Sequence, residues 1–402
     1  MNTDKSAEFI DKILDAFIIC PMCISRQIEI NEFVVNHRSP SKKNNKKNCY
    51  ICHGLLSKIS YMVLSINSKI KKFDFKNWLI GIKLPTYMYD NEDVVRSKFK
   101  IRGKKNIKTD FLERLRNAIG ILLKKPLVFK KPDIVINLEI YDDDSFEVFV
   151  KSRPMFVLGR YVKRISGLDQ KNKICEKNNQ IQNHVQYNSD SVGKIYHSIE
   201  QIIKEKLAVM YSDKKEHQID IFWIGGEDKD SLVLGKGRPF IAEICNPKKR
   251  YRSETDKEFC TDKNYAYKKN FRKKGVCIFI DKILDALPKG KIHFVNKIRI
   301  YVQCNEPISQ IDINKLKILK EKEIVTDYKS NRIIKKIYSI RTKYLDTNKF
   351  VLTIISDGGL FIKQFIGDNS SSMNTSVSEM LGRTCTCLKF DILDIDIVQM
   401  LT

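Results

Sequence analysis

Two pairs of cysteines near the start of the chain constrain its fold more strongly than any other feature. Cys20 and Cys23 form one C-x2-C pair, and Cys49 and Cys52 form a second. Two such pairs, brought together in space, supply the four thiolates of a closed tetrahedral zinc site. The alternative is that these are ordinary buried cysteines. The doubled spacing favours metal, so we predict a zinc-knuckle region over residues 1–65 in which the four cysteines bind structural Zn2+.

The composition indicates a polyanionic partner inside the cell. The 402 residues include 73 Lys and Arg against 48 Asp and Glu, a formal net charge of +25. Positive surfaces attract phosphate groups and gain affinity by releasing counterions. Codon drift in an AT-rich genome would explain many lysines and asparagines, but it need not leave this excess of positive charge. We therefore expect a nucleic-acid partner.

The chain lacks the sequence features of secreted and membrane proteins. Its start is polar, and its cysteine count of eleven is odd, which argues against a secreted disulfide framework. No apolar run approaches the ~20 residues of a membrane helix. We expect an intracellular monomer, in the nucleus or the cytoplasm, with no membrane partner.

Helical and strand patterns alternate along the chain, which predicts an α+β fold. Helical spacing of apolar residues occurs at 9–17, 55–71, 110–124, 195–210 and 279–286, and strand patterns occur at 78–84, 133–140, 146–150, 219–224, 297–303, 350–355 and 361–366.

Three segments have particular interpretations. The octapeptide FIDKILDA occurs at 9–16 and again at 279–286, and both copies have the pattern of an amphipathic helix. Residues 86–109 are basic and irregular. The polar stretch 169–190 is a candidate linker, so we expect a catalytic-sized unit from residue 190 to the end.

An acidic turn follows the apolar strand at 219–224. Its sequence is GGEDKDSLVLGKGRPF over residues 225–240, with carboxylates at Glu227, Asp228 and Asp230. A carboxylate on a turn at the edge of a sheet can serve as nucleophile, base or metal ligand. On its own, the turn is better explained as a solvated acidic loop.

The same segment resembles a known family, the archaeal and eukaryotic tRNA pseudouridine synthases that act on the T-arm. The family signature is G-R-E-D-V-D-V-R-x-L-G-x-G-R-P-F. Further strings resemble family segments in the same order along the chain: Pro132-Asp133-Ile134, Arg153-Pro154, Gly159-Arg160-Tyr161 with Lys163, and GGLFIKQF at 358–365. The signature itself matches at Gly225, Glu227, Asp228, Asp230, Leu234, Gly235, Gly237, Arg238, Pro239 and Phe240.

The resemblance implies an architecture and a function. The zinc knuckle would precede a THUMP-like RNA-binding domain at 66–175, and a pseudouridine synthase domain with a mixed, mainly antiparallel sheet flanked by helices would occupy 190–402. The family isomerises T-arm uridines of tRNA (U55, with U54 as a possible second target) by an aspartate-dependent reaction without a cofactor.

The resemblance also assigns roles to individual residues. Asp228 stands at the catalytic aspartate. Phe361 and Lys363 stand where an aromatic residue stacks on the target base and a basic residue pairs with the aspartate. Arg238 would contact phosphate or the flipped base, or else form a structural salt bridge with Glu243 or Glu227. Ile298 stands where the family has a tyrosine that contacts substrate.

Several positions depart from the family pattern. Gly226 replaces an arginine, Ile298 replaces the tyrosine, and Ser231-Leu232 replace Val-Arg. These changes remove positive charge around the site. The alternative to an active synthase is therefore a catalytically silent RNA-binding protein, such as a tRNA chaperone or RNA-processing factor. A zinc-dependent DNA-binding regulator is a weaker alternative because it leaves the acidic turn unexplained.

Overall fold

The computed structural model of the chain consists of two compact units. One contains residues 1–153 and 246–251, and the other contains 154–245 and 252–402. The structure describes residues 3–28, 49–172, 187–188, 195–212, 219–251, 258–260, 275–328, 331–367 and 373–399.

The first unit is a three-stranded sheet with helices. The elements are α1 (Thr3–Ala16), α2 (Pro21–Ile28), a 3-10 turn (Leu55–Lys58), α3 (Ile59–Ile70), β1 (Trp78–Lys83), α4 (Thr86–Phe99), α5 (Ile107–Leu123), β2 (Ile134–Ile140) and β3 (Phe146–Ser152). Strands β1 and β2 run parallel, and β2 and β3 run antiparallel. Parallel strands need a long crossover, which here contains two helices, α4 and α5.

Most predicted elements of this unit are confirmed, but residues 86–109 were wrongly predicted to be irregular. They contain α4 and the start of α5. The inward face of α4 carries Glu92 between Met88 and Val95, and Glu92 pairs with Arg26 in the interior. A buried carboxylate interrupts the apolar stripe, so the sequence pattern does not show the helical period.

The second unit is built on one large sheet. The elements are β4 (Met155–Lys163), β5 (Tyr187–Asn188), β6 (Ile195–Tyr196), α6 (Ile199–Tyr211), β7 (Ile219–Trp223), β8 (Val233–Ile244), β9 (Glu258–Cys260), β10 (Val276–Leu284), β11 (His293–Cys304), α7 (Gln310–Lys315), a 3-10 turn (Leu316–Leu319), β12 (Glu323–Tyr328), β13 (Asn331–Asp346), β14 (Lys349–Asp357), α8 (Ile362–Gly367), α9 (Val377–Leu381) and β15 (Cys385–Gln399). In the described part of the chain the strand order is β12-β13-β14-β11-β15-β8-β4-β10-β9, and β7 also pairs with β8.

The sheet is mixed and mainly antiparallel, as the sequence predicted. Among the described strands of this sheet, β8 and β15 form the parallel pair. Strand β11 pairs antiparallel with β14 and with β15, so it is central. Ile298, Ile300 and Val302 alternate along β11 and are buried in the main core, because successive side chains of a strand point to opposite faces.

Two helix or strand predictions in this unit are wrong. The second FIDKILDA copy, residues 279–286, lies largely in strand β10, not in a helix. Residues 362–366 lie in a short helix, α8, and residue 361 precedes it, so this segment does not form a strand. The predicted linker at 169–190 lies mostly outside the described residues, so its interpretation stays a prediction.

The division into units falls earlier than the sequence suggested. Strand β4 was assigned to the THUMP-like domain at 66–175, but it pairs with β8 and β10 in the sheet of the second unit. The second unit therefore begins at Pro154. No described helix is long and apolar enough to span a membrane.

Candidate active site and candidate metal centre

The acidic turn lies where strand β8 changes its partner. The second half of β8 pairs with β7 between Phe240 and Ile244, whereas its first residue, Val233, pairs with Ile392 of β15. Strand β4 occupies the other edge of β8. Residues 224–232, which we call the acidic loop, therefore emerge in the middle of the sheet between β7 and β15.

Glu227 anchors the acidic loop in the interior. Its side chain is fully buried and pairs with the guanidinium of Arg238, which is 1% exposed. The hydroxyl of Tyr161 donates to Glu227 Oε1 at 2.6 Å, and Lys163 Nζ lies 4.0 Å from the same oxygen. Burial raises the pKa of Tyr161 and lowers the pKa of Lys163. The glutamate is therefore held by two cations and a neutral phenol.

The same two cations also hold the backbone of the loop. Arg238 donates to the carbonyls of Ile224 and Gly226 at 3.0 and 2.9 Å. Lys163 Nζ donates to the carbonyl of Asp228 at 3.2 Å. Because the buried side chains of Arg238 and Lys163 hydrogen-bond to the loop backbone, the geometry of the loop is set before any substrate binds.

Asp228 points the other way and pairs with Lys363. Lys363 Nζ lies 2.8 Å from Asp228 Oδ2, and the two side chains are 65% and 43% exposed. The hydrogen bond to Asp228 raises the pKa of Lys363. The contact predicted between these two residues is confirmed, but Lys363 reaches it from the first turn of α8, not from a strand.

A cavity of about 280 Å³ opens beside this ion pair. Gly225 adopts φ 81°, and a side chain there would collide with Arg238 and Phe294. The loop can pack against these two side chains because residue 225 has no Cβ. The cavity is lined by Gly225, Gly226, Asp228, Arg238, Asn296, Ile298, Gly359, Leu360, Phe361, Ile362, Lys363, Gln364, Phe390 and Ile392.

The structure brings the residues proposed from the sequence to this one cavity. Phe361 is half-buried in its wall, and Ile298, which is 2% exposed, also lines it. Of the alternatives for Arg238, the structure shows the salt bridge with Glu227. The nitrogens of Arg238 bind the acidic loop, and its suggested contact with phosphate or the flipped base stays a prediction.

Apart from Arg238 and Glu227, sequence reasoning did not identify the residues that support the loop. Tyr161 and Lys163 were noticed only as part of a family string, and Gln170, whose amide donates to Tyr161 Oη at 3.0 Å, was not noticed. The polar side chains of β4, which are Arg160, Tyr161 and Lys163, are the available signal. Asn296 and Gln364 were also overlooked.

The four cysteines of the first unit converge as predicted. Their sulfur atoms lie within 4.8 Å of one another, and all four residues are buried. The backbone amide of Cys20 donates to Cys49 Sγ at 3.3 Å. Burial raises the pKa of Cys23, and hydrogen bonds from Cys20 and Cys23 lower the pKa of Cys49. Four clustered thiol donors fit a tetrahedral metal ion.

Comparisons with known proteins agree with this picture. The family model described as Pus10, C-terminal, matches residues 156–396, and the model of the archaeal Pus10 THUMP domain matches residues 63–139. A protein of Nitrosopumilus maritimus named tRNA pseudouridine synthase Pus10 is 30% identical, covering 96% of this chain and 97% of that protein. Proteins of the same name from Methanocaldococcus jannaschii and Pyrococcus furiosus are 28% and 24% identical, covering 87% and 86% of this chain and 76% and 84% of theirs.

Proposed function

The chain belongs to the Pus10 family of tRNA pseudouridine synthases, and on that premise we propose that it isomerises T-arm uridines of tRNA with Asp228 as its catalytic carboxylate. The observation that carries the proposal is the Asp228–Lys363 ion pair at the mouth of the cavity. A carboxylate that is held in place and open on one side can reach a nucleotide. Glu227 cannot do so because it is fully buried.

The reaction requires no cofactor. The bond between ribose C1′ and uracil N1 breaks, the uracil rotates, and a bond forms between C1′ and C5. N1 gains a proton and C5 loses one, so atoms and charge balance without an oxidant or reductant. The carboxylate of Asp228 either adds covalently to the sugar or base, or removes a ribose proton. The target base must leave its stack to reach the carboxylate, which costs a few kcal/mol.

Lys363 and Phe361 complete the site in this proposal. A base that covers Asp228 would remove water from the carboxylate and so favour its neutral form. The ammonium group of Lys363, 2.8 Å away, opposes this change. Phe361 lines the cavity and offers an aromatic face for stacking on the uracil. Ile298 provides an apolar wall where the family pattern has a tyrosine.

The alternative, a silent RNA-binding protein, rests on the substitutions at Gly226 and Ile298. The space beside Gly226 is open, since a Cβ there would meet only Gln170 Oε1 at 3.5 Å. The missing arginine is therefore not replaced by another group at that point. The intact pairing of Asp228 with Lys363 favours the enzyme, because a silent protein would have no need of it.

The decisive assay uses unmodified tRNA. Incubation with the purified protein should convert U55 to pseudouridine, detected by carbodiimide modification and primer extension, and U54 is examined in the same assay as the second target. A matched RNA in which the T-arm uridines are replaced by cytidines serves as the control. Tight tRNA binding without any conversion would support the silent alternative and contradict the proposal.

We further propose that the cysteine cluster binds one structural zinc ion. The zinc would cross-link α2 to the turn at Cys49 and Cys52 and stabilise the first unit. Replacing Cys20 and Cys23 by serine should release the metal and unfold mainly the first 60 or so residues, read by zinc content and by limited proteolysis. Fully folded protein that contains no zinc would contradict the assignment.

A further inference from the structure

Asn296 is a buried polar residue in the wall of the cavity, and its amide oxygen lacks a hydrogen-bond partner in the described structure. The residue is 6% exposed, and the unpaired atom is Oδ1. Buried polar atoms are nearly always hydrogen-bonded, and leaving one unpaired is costly. An unsatisfied amide oxygen beside an open cavity therefore indicates a ligand that completes its hydrogen bonds.

The position of Asn296 on β11 makes the observation more specific. It belongs to the buried row that continues through Ile298, Ile300 and Val302, all of them branched aliphatic residues. Asn296 and Ile298 are two residues apart, so their side chains lie on the same face of the strand, and both line the cavity. Along this buried face of β11, the side chains thus change from aliphatic residues to an amide at the edge of the site.

The chemistry of a flipped uracil matches such an amide. Its Watson–Crick edge presents the N3–H donor between the O2 and O4 acceptors. A carboxamide offers an acceptor and a donor side by side, so it can accept from N3–H and donate to one of the adjacent carbonyls. This edge is not altered by the isomerisation, because the bonds that change involve N1 and C5.

We propose that Asn296 recognises the uracil by pairing with N3–H and an adjacent carbonyl, and that it is the residue that determines base specificity. This inference rests on the function proposed above. It adds a specificity residue that neither the family signature nor the acidic loop contains. Gln364 is the competing candidate, since its Oε1 is also buried and unpaired in the lining of the same cavity.

The test pairs a change in the RNA with a change in the protein. T-arm RNA carrying either uridine or 3-methyluridine at the target position is offered to the full-length protein, and kcat/KM is measured for each. The methyl group removes the N3–H donor and would collide with the side-chain amide of Asn296. A site that hydrogen-bonds a substrate N–H rejects analogues without it strongly, so the wild type should prefer uridine by about a hundred-fold or more.

Asn296→Ala should reverse much of this preference. It removes the hydrogen bond to uridine and makes room for the methyl group, so the ratio of kcat/KM values should fall at least ten-fold. Asn296→Ser is the second variant if the alanine protein does not fold, which is checked by thermal denaturation. Gln303→Ala is the matched control, because Gln303 is an exposed amide on the same strand and its loss should leave the ratio unchanged.

The outcomes separate this inference from the proposed function. An unchanged ratio in both Asn296 variants, or a ratio that responds to Gln364→Ala instead, would overturn the role of Asn296. Loss of activity on both RNAs in equal proportion would indicate a merely structural role. If the wild type binds the uridine RNA without converting it, the proposed function fails, and the ratio of dissociation constants for the two RNAs then tests Asn296 by the same criterion.

Discussion

Glu227 and Asp228 are adjacent carboxylates in one loop, yet their surroundings are opposite. Glu227 is fully buried and is bonded to Arg238 and Tyr161. Asp228 is 43% exposed and pairs with Lys363, itself 65% exposed. The two adjacent carboxylates of this short segment therefore have different tasks. The first carboxylate fixes the loop to the sheet, and the second is left free on one side to meet a substrate.

The two ion pairs should therefore differ in what their loss costs. A buried pair is expensive to break because removal of one partner leaves the other charge unpaired in the interior. An exposed pair contributes about 0–1 kcal/mol to stability. The second case applies to Asp228 and Lys363. In the structure without RNA this pair is largely exposed, so its importance must lie in the reaction.

The largest expected effect is that of Asp228→Asn on catalysis. The amide keeps the shape and removes the charge that the reaction needs, so pseudouridine formation should fall roughly a thousand-fold or more. Affinity for tRNA, which depends on many basic contacts, should change only a few-fold. The thermal midpoint should stay within a few degrees of the wild type. Normal turnover in this variant would remove Asp228 from the mechanism.

The next largest effect should be that of Glu227→Gln on stability. It leaves Arg238 and Lys163 without their buried counter-charge, which should lower the free energy of unfolding by about 3–5 kcal/mol. Chemical denaturation monitored by tryptophan fluorescence measures this, because Trp223 packs edge-on against Tyr161 with ring centres 6.0 Å apart. Equal stability of the Glu227→Gln and Asp228→Asn proteins would break the comparison between the two carboxylates.

Lys363→Met should impair the reaction more than it weakens binding. Without the ammonium group, the carboxylate of Asp228 is disfavoured once a base covers it, so kcat should fall roughly ten- to a hundred-fold. KM and the thermal midpoint should change little, because the pair is exposed in the free protein. Lys363→Arg keeps the charge and should retain much of the activity. A rise in KM at unchanged kcat would instead make Lys363 a simple RNA contact.

The two FIDKILDA copies show the limit of what a local pattern can predict. In the first copy, Ile10 and Ile13 are buried on one face of α1. In the second, residues 279–284 of the octapeptide follow Val276-Cys277-Ile278 and continue that strand, pairing with β4. Identical residues thus become helix or strand according to the partner available, so tertiary context overrides propensity.

The site was predictable to the extent that its chemistry depends on the loop motif. Asp228, Phe361, Lys363 and Ile298 all line the cavity, although they come from the loop before β8, the segment after β14 and the middle of β11. The supporting residues were harder to predict. The Arg238–Glu227 salt bridge was one of several alternatives, and nothing in the sequence shows that Glu227 is buried whereas Asp228 is exposed.

The smallest expected effect is that of Asp230→Asn, which sharpens the comparison within the same loop. Asp230 is exposed, and its carboxylate accepts a hydrogen bond from Ser166 Oγ at 3.1 Å, also on the surface. The amide oxygen of asparagine can accept the same bond, and an exposed hydrogen bond contributes only about 1 kcal/mol or less. We therefore expect kcat/KM and the thermal midpoint to stay within about three-fold and a few degrees of the wild type. The measurement is made beside Asp228→Asn under identical conditions. If Asp230 proved essential and Asp228 dispensable, the reactive carboxylate would be two residues further along the loop, and Lys363 would be paired with the wrong group.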